Sequence, residues 1–187
     1  NYYYLLDFFG NPPFTMTVSS ANPKQIKGGR PALYRWVVDE LLAAEDYLEE
    51  ETEVYRVNKN AARLLLSRLY LNAHVYKGLS EPDMLDMDSA ALYAKKVMDN
   101  GKYTLTEHYA QMFMGDNDCN KGACEAIFSI PQDGDYIQSW GASSCLVCMT
   151  RAQGMMNWGS DDKWECYRST PEMVKVFCEN PGLVKAN

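Results

Sequence analysis

The chain has only two histidines in 187 residues, which leaves little room for the acid–base and metal chemistry that histidine most often carries. Neither His74 nor His108 stands in an HExxH arrangement, so the zinc-peptidase helix is excluded. His74 lies between tyrosines in a helical stretch and is expected to be a hydrogen-bonded core residue, while His108 follows Glu107 at a helix start. A GxSxG elbow and a phosphate-cradling glycine loop are also missing. No catalytic residue and no cofactor is therefore expected. Positive charge is scarce: 18 Lys and Arg against 25 Asp and Glu give a net charge of −7, relieved only around residues 24–30 and at Lys95 and Lys96. A phosphate-tracking surface needs clustered basic residues, so no nucleic-acid partner is expected. No apolar run approaches the roughly 20 residues that a membrane-spanning helix requires.

Cysteine, by contrast, is plentiful. Six residues are more than a reducing compartment usually tolerates and fit an oxidising one. Cys119-x4-Cys124 and Cys145-x2-Cys148 have the form of a four-thiolate zinc site. No glycine-rich knuckle turns surround these pairs, and Cys145-Leu-Val-Cys148 is apolar. Disulfides beside one or two unpaired buried thiols are expected instead, and no metal. With 47% apolar and 23% charged residues, the chain can bury a sizeable core.

Helical periodicity is strongest over residues 60–76, NAARLLLSRLYLNAHVY, where Ala62, Leu65, Leu66, Leu69, Ala73 and Tyr76 fall on one stripe. Small residues at 61, 62 and 73 permit close approach of a neighbouring helix. Upstream, Tyr2, Tyr3, Leu5, Leu6, Phe8 and Phe9 form an apolar run stopped by Gly10-Asn11-Pro12-Pro13. Such a row of tyrosines on a helix is expected to serve the core. Residues 15–29 read as a loop, after which Pro31 suits a first helical turn. Leu33, Val37, Leu41, Ala44 and Leu48 then keep helical spacing, with Trp36 beside them. The acidic positions of that helix and its exit (Asp39, Glu40, Glu45, Asp46, Glu49, Glu50, Glu51) are expected to form a solvated face.

Residues 77–88 read as a second loop. Asp83, Asp86 and Asp88 lack the glycine and distal glutamate of an EF-hand, and Asp88 or Ser89 is expected to cap the next helix. Ala90, Ala91, Ala94, Val97 and Met98 build its apolar face, and Gly101 takes a left-handed C-terminal position. Helix, loop, helix and glycine stop is the arrangement of tetratricopeptide-like hairpins, although no strict period of about 34 residues is visible. Beyond residue 106, Tyr109, Met112 and Phe113 end a short helix, residues 115–122 are turn-rich, and 125–130 alternate as a short strand. Thr170-Pro171-Glu172 opens a last helix.

Several of these stretches, in this order, resemble the SusD/RagB family. AARLLLSRLYLNAHVY resembles its A-x-A-L-L-A-R-L-Y-L-N-A helix, and YYYLLDFFGNPPF its helix ending Y-x-L-V-x-x-Y-G-x-V-P, with Pro12 as a departure. RPALYRWVVDELLAAEDYL, SAALYAKKVMDNGKYTL, YAQMFMGDND…EAIFSI and STPEMVKVF resemble four further family segments. The resemblance covers roughly residues 2–178. It implies a mostly α fold of tetratricopeptide-like hairpins with a loop-rich ligand-binding side and one or more short strands. The implied organisation is a single incomplete domain over 1–187, with a helical scaffold over 1–105 and a ligand-bearing part over 106–187.

The resemblance also implies a function, the capture of oligosaccharide or polysaccharide at the bacterial cell surface and its delivery to a SusC-like TonB-dependent transporter in the outer membrane. Membrane attachment would come only through a lipid anchor upstream of Asn1, where further sequence is expected, as it is beyond residue 187. The irregular segment 132–168 is the expected site. Aromatic rings stack on the apolar faces of sugars while polar side chains hydrogen-bond the hydroxyl rims. Tyr136, Trp140, Arg151, Asn157, Trp158, Asp161 and Trp164 are the expected glycan contacts. The rival expectation is a helical-repeat adaptor whose aromatics dock a peptide or glycopeptide.

Overall fold

A computed structural model describes residues 1–18, 22–114, 116–118, 124–131, 164 and 166–179. The described chain is mostly α-helical: α1 (Tyr2–Phe9), α2 (Gly29–Tyr47), α3 (Lys59–Leu71), α4 (Ala73–Lys77), α5 (Met84–Asp99), a 3-10 turn at Tyr109–Phe113, and α6 (Pro171–Glu179). It divides into two units, Asn1–Ile130 and Pro131–Asn187.

The expected stripe organises the first unit. Ala62, Leu66, Leu69, Ala73 and Tyr76 are buried and Leu65 is half-buried. Leu66, Leu69, Ala73 and Tyr76 meet Tyr3 and Leu6 of α1 and Leu33, Tyr34, Val37 and Val38 of α2 in one core cluster, with Leu65 packed against it. The stretch 60–76 is nevertheless two helices. Asn72 leaves helical geometry at φ −100° and ψ 13°, and its carboxamide donates to the Arg68 carbonyl at 3.3 Å. Such local side-chain bonds compete with the helical ladder, while the apolar stripe continues across the break.

Side-chain pairs fix the helix directions. Arg30, at the start of α2, donates to the Val75 carbonyl in α4 at 3.0 Å. Near the other end of α2, Glu45 accepts from Arg63 near the start of α3 at 2.8 Å. The two helices therefore run antiparallel. Likewise Lys77, at the end of α4, holds Asp86 at the start of α5 at 2.6 Å, and Ser67 donates to the Ala90 carbonyl at 2.8 Å. A hydroxyl reaching a neighbouring helix backbone requires close approach, which Ala90 permits. Successive antiparallel pairs are the tetratricopeptide-like arrangement.

Several local expectations change. The loop after α4 is shorter than expected, because Asp83 caps α5 through its carboxylate, which accepts from Leu85 N at 3.0 Å. Asp88 and Ser89 lie inside that helix. Its buried face is Asp86, Ala90 and Val97, with Ala94 half-buried, while Ala91 and Met98 are exposed. Gly101 takes φ 72°, as expected. Residues 125–130 form no strand. Their backbone makes isolated bonds instead, with Ser129 N donating to Val54 O at 2.8 Å and Asn58 Nδ2 to Ile127 O at 3.4 Å. The sole β-type pairing among the described residues is a bridge between Pro13 and Gln25. The N-terminal tyrosine row divides: Tyr3 enters the core, whereas Tyr4, Phe8 and Phe9 are exposed. His74 is half-buried, and among the described residues its Nδ1 has no hydrogen-bond partner, contrary to expectation.

The acidic face of α2 is solvated at Asp39, Glu40 and Asp46 but not at Glu45. Glu45 accepts from Arg63 and stands 3.8 Å from Lys96, and Glu50 completes the cluster by pairing with Arg63. Burial alone would lower the Arg63 pKa, but the hydrogen bonds it donates to Glu45 and Glu50, together with their negative charge, outweigh burial and raise it.

Tyrosines fill the space between helices. Tyr34 stacks on Tyr76 with centroids 5.6 Å apart, and Tyr70 on Tyr93 at 5.8 Å. Burial raises the phenol pKa of Tyr3, Tyr34, Tyr70, Tyr76 and Tyr93, and at Tyr76 a 2.6 Å hydrogen bond to Asp7 adds to it. A phenol whose folded pKa lies above its unfolded value of about 10 stabilises the fold fully below that pH. Above it, unfolded phenols ionise while the buried ones keep their protons, so stability falls as pH rises. The urea midpoint of the full-length protein is expected to drop above about pH 10, with phenolate absorbance from these tyrosines developing at higher pH than that of the exposed ones. Phenolate absorbance that develops from all the tyrosines together would contradict their burial.

Candidate functional site

The second unit is described at Pro131, Trp164 and residues 166–179. The Thr170 hydroxyl accepts from Met173 N at 3.2 Å, and Pro171 occupies the first helical position of α6, where a missing N–H costs nothing. The cap fixes the direction from which the preceding segment enters. In that segment Trp164 is 45% exposed and Tyr167 is 53% exposed. The Trp164 carbonyl accepts from the Cys166 thiol at 3.4 Å. An indole and a phenol three residues apart thus both present apolar surface to solvent within their unit.

Of the seven expected contacts, Trp164 is the one the structure describes. Tyr136, Trp140, Arg151, Asn157, Trp158 and Asp161 lie outside the described residues, as do Cys119, Cys145 and Cys148. The zinc pattern and most of the disulfide question fall there too. Cys166 and Cys178 are free thiols and exposed, so these unpaired cysteines are not the buried ones expected. Among the described residues no group of three or more His, Cys, Asp or Glu is placed to hold a metal ion. Among the same residues no helix is long and apolar enough to cross a membrane.

Sequence reasoning missed a cavity of about 150 Å³ in the first unit. It opens between the α2–α3 connection (Thr52, Val54, Asn58), the turn after α5 (Lys102, Tyr103) and residues 124–127. Asn58 is the deepest of these, 1% exposed, and its Oδ1 caps α3 by accepting from Ala61 N at 3.0 Å. An Asn before a helical run signals a cap, but nothing in the sequence shows that residues 102–103 and 124–127 converge on it.

Antiparallel helical pairs with an exposed-aromatic second unit define a tetratricopeptide-like helical protein. No family model matches the sequence. The chain is 38% identical over 183 residues to the starch-binding protein SusD of Bacteroides thetaiotaomicron, covering 96% of this chain and 32% of that protein. It is 23% identical over 180 residues to a SusD-like protein of Bacteroides ovatus, covering 94% of this chain and 32% of that protein. The chain belongs to the SusD/RagB family, and it spans about a third of the length of these curated relatives.

Proposed function

We propose that this chain is part of a non-catalytic surface glycan-binding protein that takes up oligosaccharide or polysaccharide and hands it to a SusC-like TonB-dependent transporter. The observation that carries this reading is the 38% identity to a starch-binding protein, which extends over 96% of the chain and so takes in the aromatic segment 132–168. The chemistry of that segment agrees with it. Tyr136, Trp140, Trp158 and Trp164 supply flat apolar surfaces for pyranose faces, and Arg151, Asn157 and Asp161 supply polar partners for hydroxyl rims. The exposure of Trp164 and Tyr167 supports the same role. In this reading the helical pairs form the rigid frame, and the protein sits at the outer membrane on a lipid anchor.

Starch is the first polysaccharide to test, because the more similar of the two relatives is named for it. The full-length protein is run in native gels containing amylopectin, other neutral glucans, and no glycan. Retardation by an α-glucan alone is expected. Equal mobility in every gel would overturn the α-glucan assignment and leave a peptide-docking scaffold as the better account.

A further inference from the structure

The cavity beside Asn58 does not belong to the aromatic segment, and its lining has a chemical bias. Its volume of about 150 Å³ is far above the roughly 10–15 Å³ that admits one water. Val54, Ala126 and Ile127 line it with apolar surface. The polar groups divide unequally between donors and acceptors. Asn58 Nδ2 reaches Tyr103 Oη at 3.3 Å and Ile127 O at 3.4 Å. Both are longer than the usual 2.7–3.2 Å of an N–H···O bond, so this buried amide is poorly satisfied.

The Tyr103 hydroxyl accepts from Asn58, which leaves its own proton to donate. Among the described residues Lys102 Nζ has a single ion partner, Glu51, at 3.9 Å. The Thr52 proton goes to the carbonyls of Glu53 and Arg56 (3.2 and 3.0 Å), and the Cys124 thiol to the Thr104 carbonyl at 3.4 Å. The polar capacity left over is therefore weighted to donors: an ammonium, a phenol proton and an amide whose two N–H groups are held only by long bonds, against the Thr52 hydroxyl oxygen as an acceptor. A neutral hydroxyl brings a proton of its own, which would have to compete for carbonyls that already accept. A carboxylate brings acceptors only, and charge-assisted bonds to it are the stronger kind.

We propose that this cavity is a binding site for a small carboxylate, seated on Lys102, Tyr103 and Asn58 with its carbon skeleton against Val54, Ala126 and Ile127. The group is carried either by an acidic sugar residue or by a free short-chain acid. This assignment stands independently of neutral-glycan capture in the second unit.

Calorimetric titration of the full-length protein with propionate, glucuronate and glucose tests it. Propionate is expected to bind and glucose not to bind. Glucuronate binding as well would assign the site to acidic sugars, and propionate binding alone would assign it to free acids. Lys102→Gln, at an exposed position, is expected to weaken acid binding about tenfold, and Tyr103→Phe about threefold. Far-ultraviolet circular dichroism of each variant would check that the fold is retained. Retardation by amylopectin is expected to be unchanged in both variants, so failure here is distinguishable from failure of the glycan reading. No heat from either acid, binding of glucose equal to that of propionate, or acid binding unaffected by both substitutions would overturn the proposal.

Discussion

Replacing Leu66 with alanine is expected to lower the unfolding free energy by about 2–5 kcal/mol, the range for deleting a buried leucine side chain. Leu66 is 0% exposed and sits where α1, α2 and α3 share one core cluster. The same cluster holds large rings (Tyr3, Tyr34, Tyr76), which cannot shift easily into a vacated space because each is fixed by its own contacts. Tyr76 donates to Asp7 and stacks on Tyr34, and the Arg68 guanidinium lies over the Tyr3 ring. Poor collapse puts the cost towards the upper half of the range. Leu64→Ala, two positions away on the 39%-exposed face, is the internal control and should cost less than about 1 kcal/mol. Urea unfolding of both variants of the full-length protein checks the difference. Equal midpoints would contradict the assignment of the buried stripe.

Arg63→Met is expected to cost about 1–3 kcal/mol, the penalty for leaving a poorly solvated group without its partner. Glu45 and Arg63 each keep only 15% of their side-chain surface exposed, so neither charge is well hydrated. Removing the guanidinium leaves Glu45 with Lys96 at 3.8 Å as its remaining cation. The methionine retains most of the apolar stem, so the loss is electrostatic more than steric. The pair itself need not be strongly stabilising, since taking both charges out of water offsets much of their attraction. The double variant Glu45→Met with Arg63→Met should therefore recover most of what Arg63→Met loses. A double variant as unstable as the single one would show that packing, not charge pairing, is what Arg63 supplies.

The scaffold was legible because helical burial repeats at a spacing that the sequence displays directly. Ala62, Leu66, Leu69, Ala73 and Tyr76 are buried in the order their periodicity predicts. Boundaries were less legible. The break at Asn72 depends on one carboxamide choosing a backbone carbonyl, and the start of α5 on Asp83, not Asp88, capturing a backbone N–H. Three aspartates within six residues offer equivalent caps on paper, and tertiary pairing of Asp86 with Lys77 decides between them. Residues 125–130 carry strand-like alternation, yet a strand needs a neighbour, and these residues meet the α2–α3 connection instead.

Glu45 shows the same limit from the electrostatic side. An acidic run marks a solvated face, but which carboxylate turns inward depends on Arg63 arriving from another helix. The proposed site is legible only as composition: clustered Trp, Tyr, Asn, Asp and Arg suit a sugar-binding role, and of the seven expected contacts only Trp164 lies among the described residues. The cavity beside Asn58 was not legible at all, because its lining comes from three segments separated in the chain.

The most direct test of the central claim, glycan capture by the aromatic segment, is the amylopectin affinity of the full-length protein and of its Trp140→Ala, Trp158→Ala and Trp164→Ala variants. Losing a stacked indole should remove about 1.5–3 kcal/mol, or roughly tenfold or more in affinity. At least one variant is expected to lose retardation in the gel while keeping the wild-type circular dichroism spectrum. Retardation of all three folded variants equal to that of the wild type would contradict the placement of the glycan on this segment.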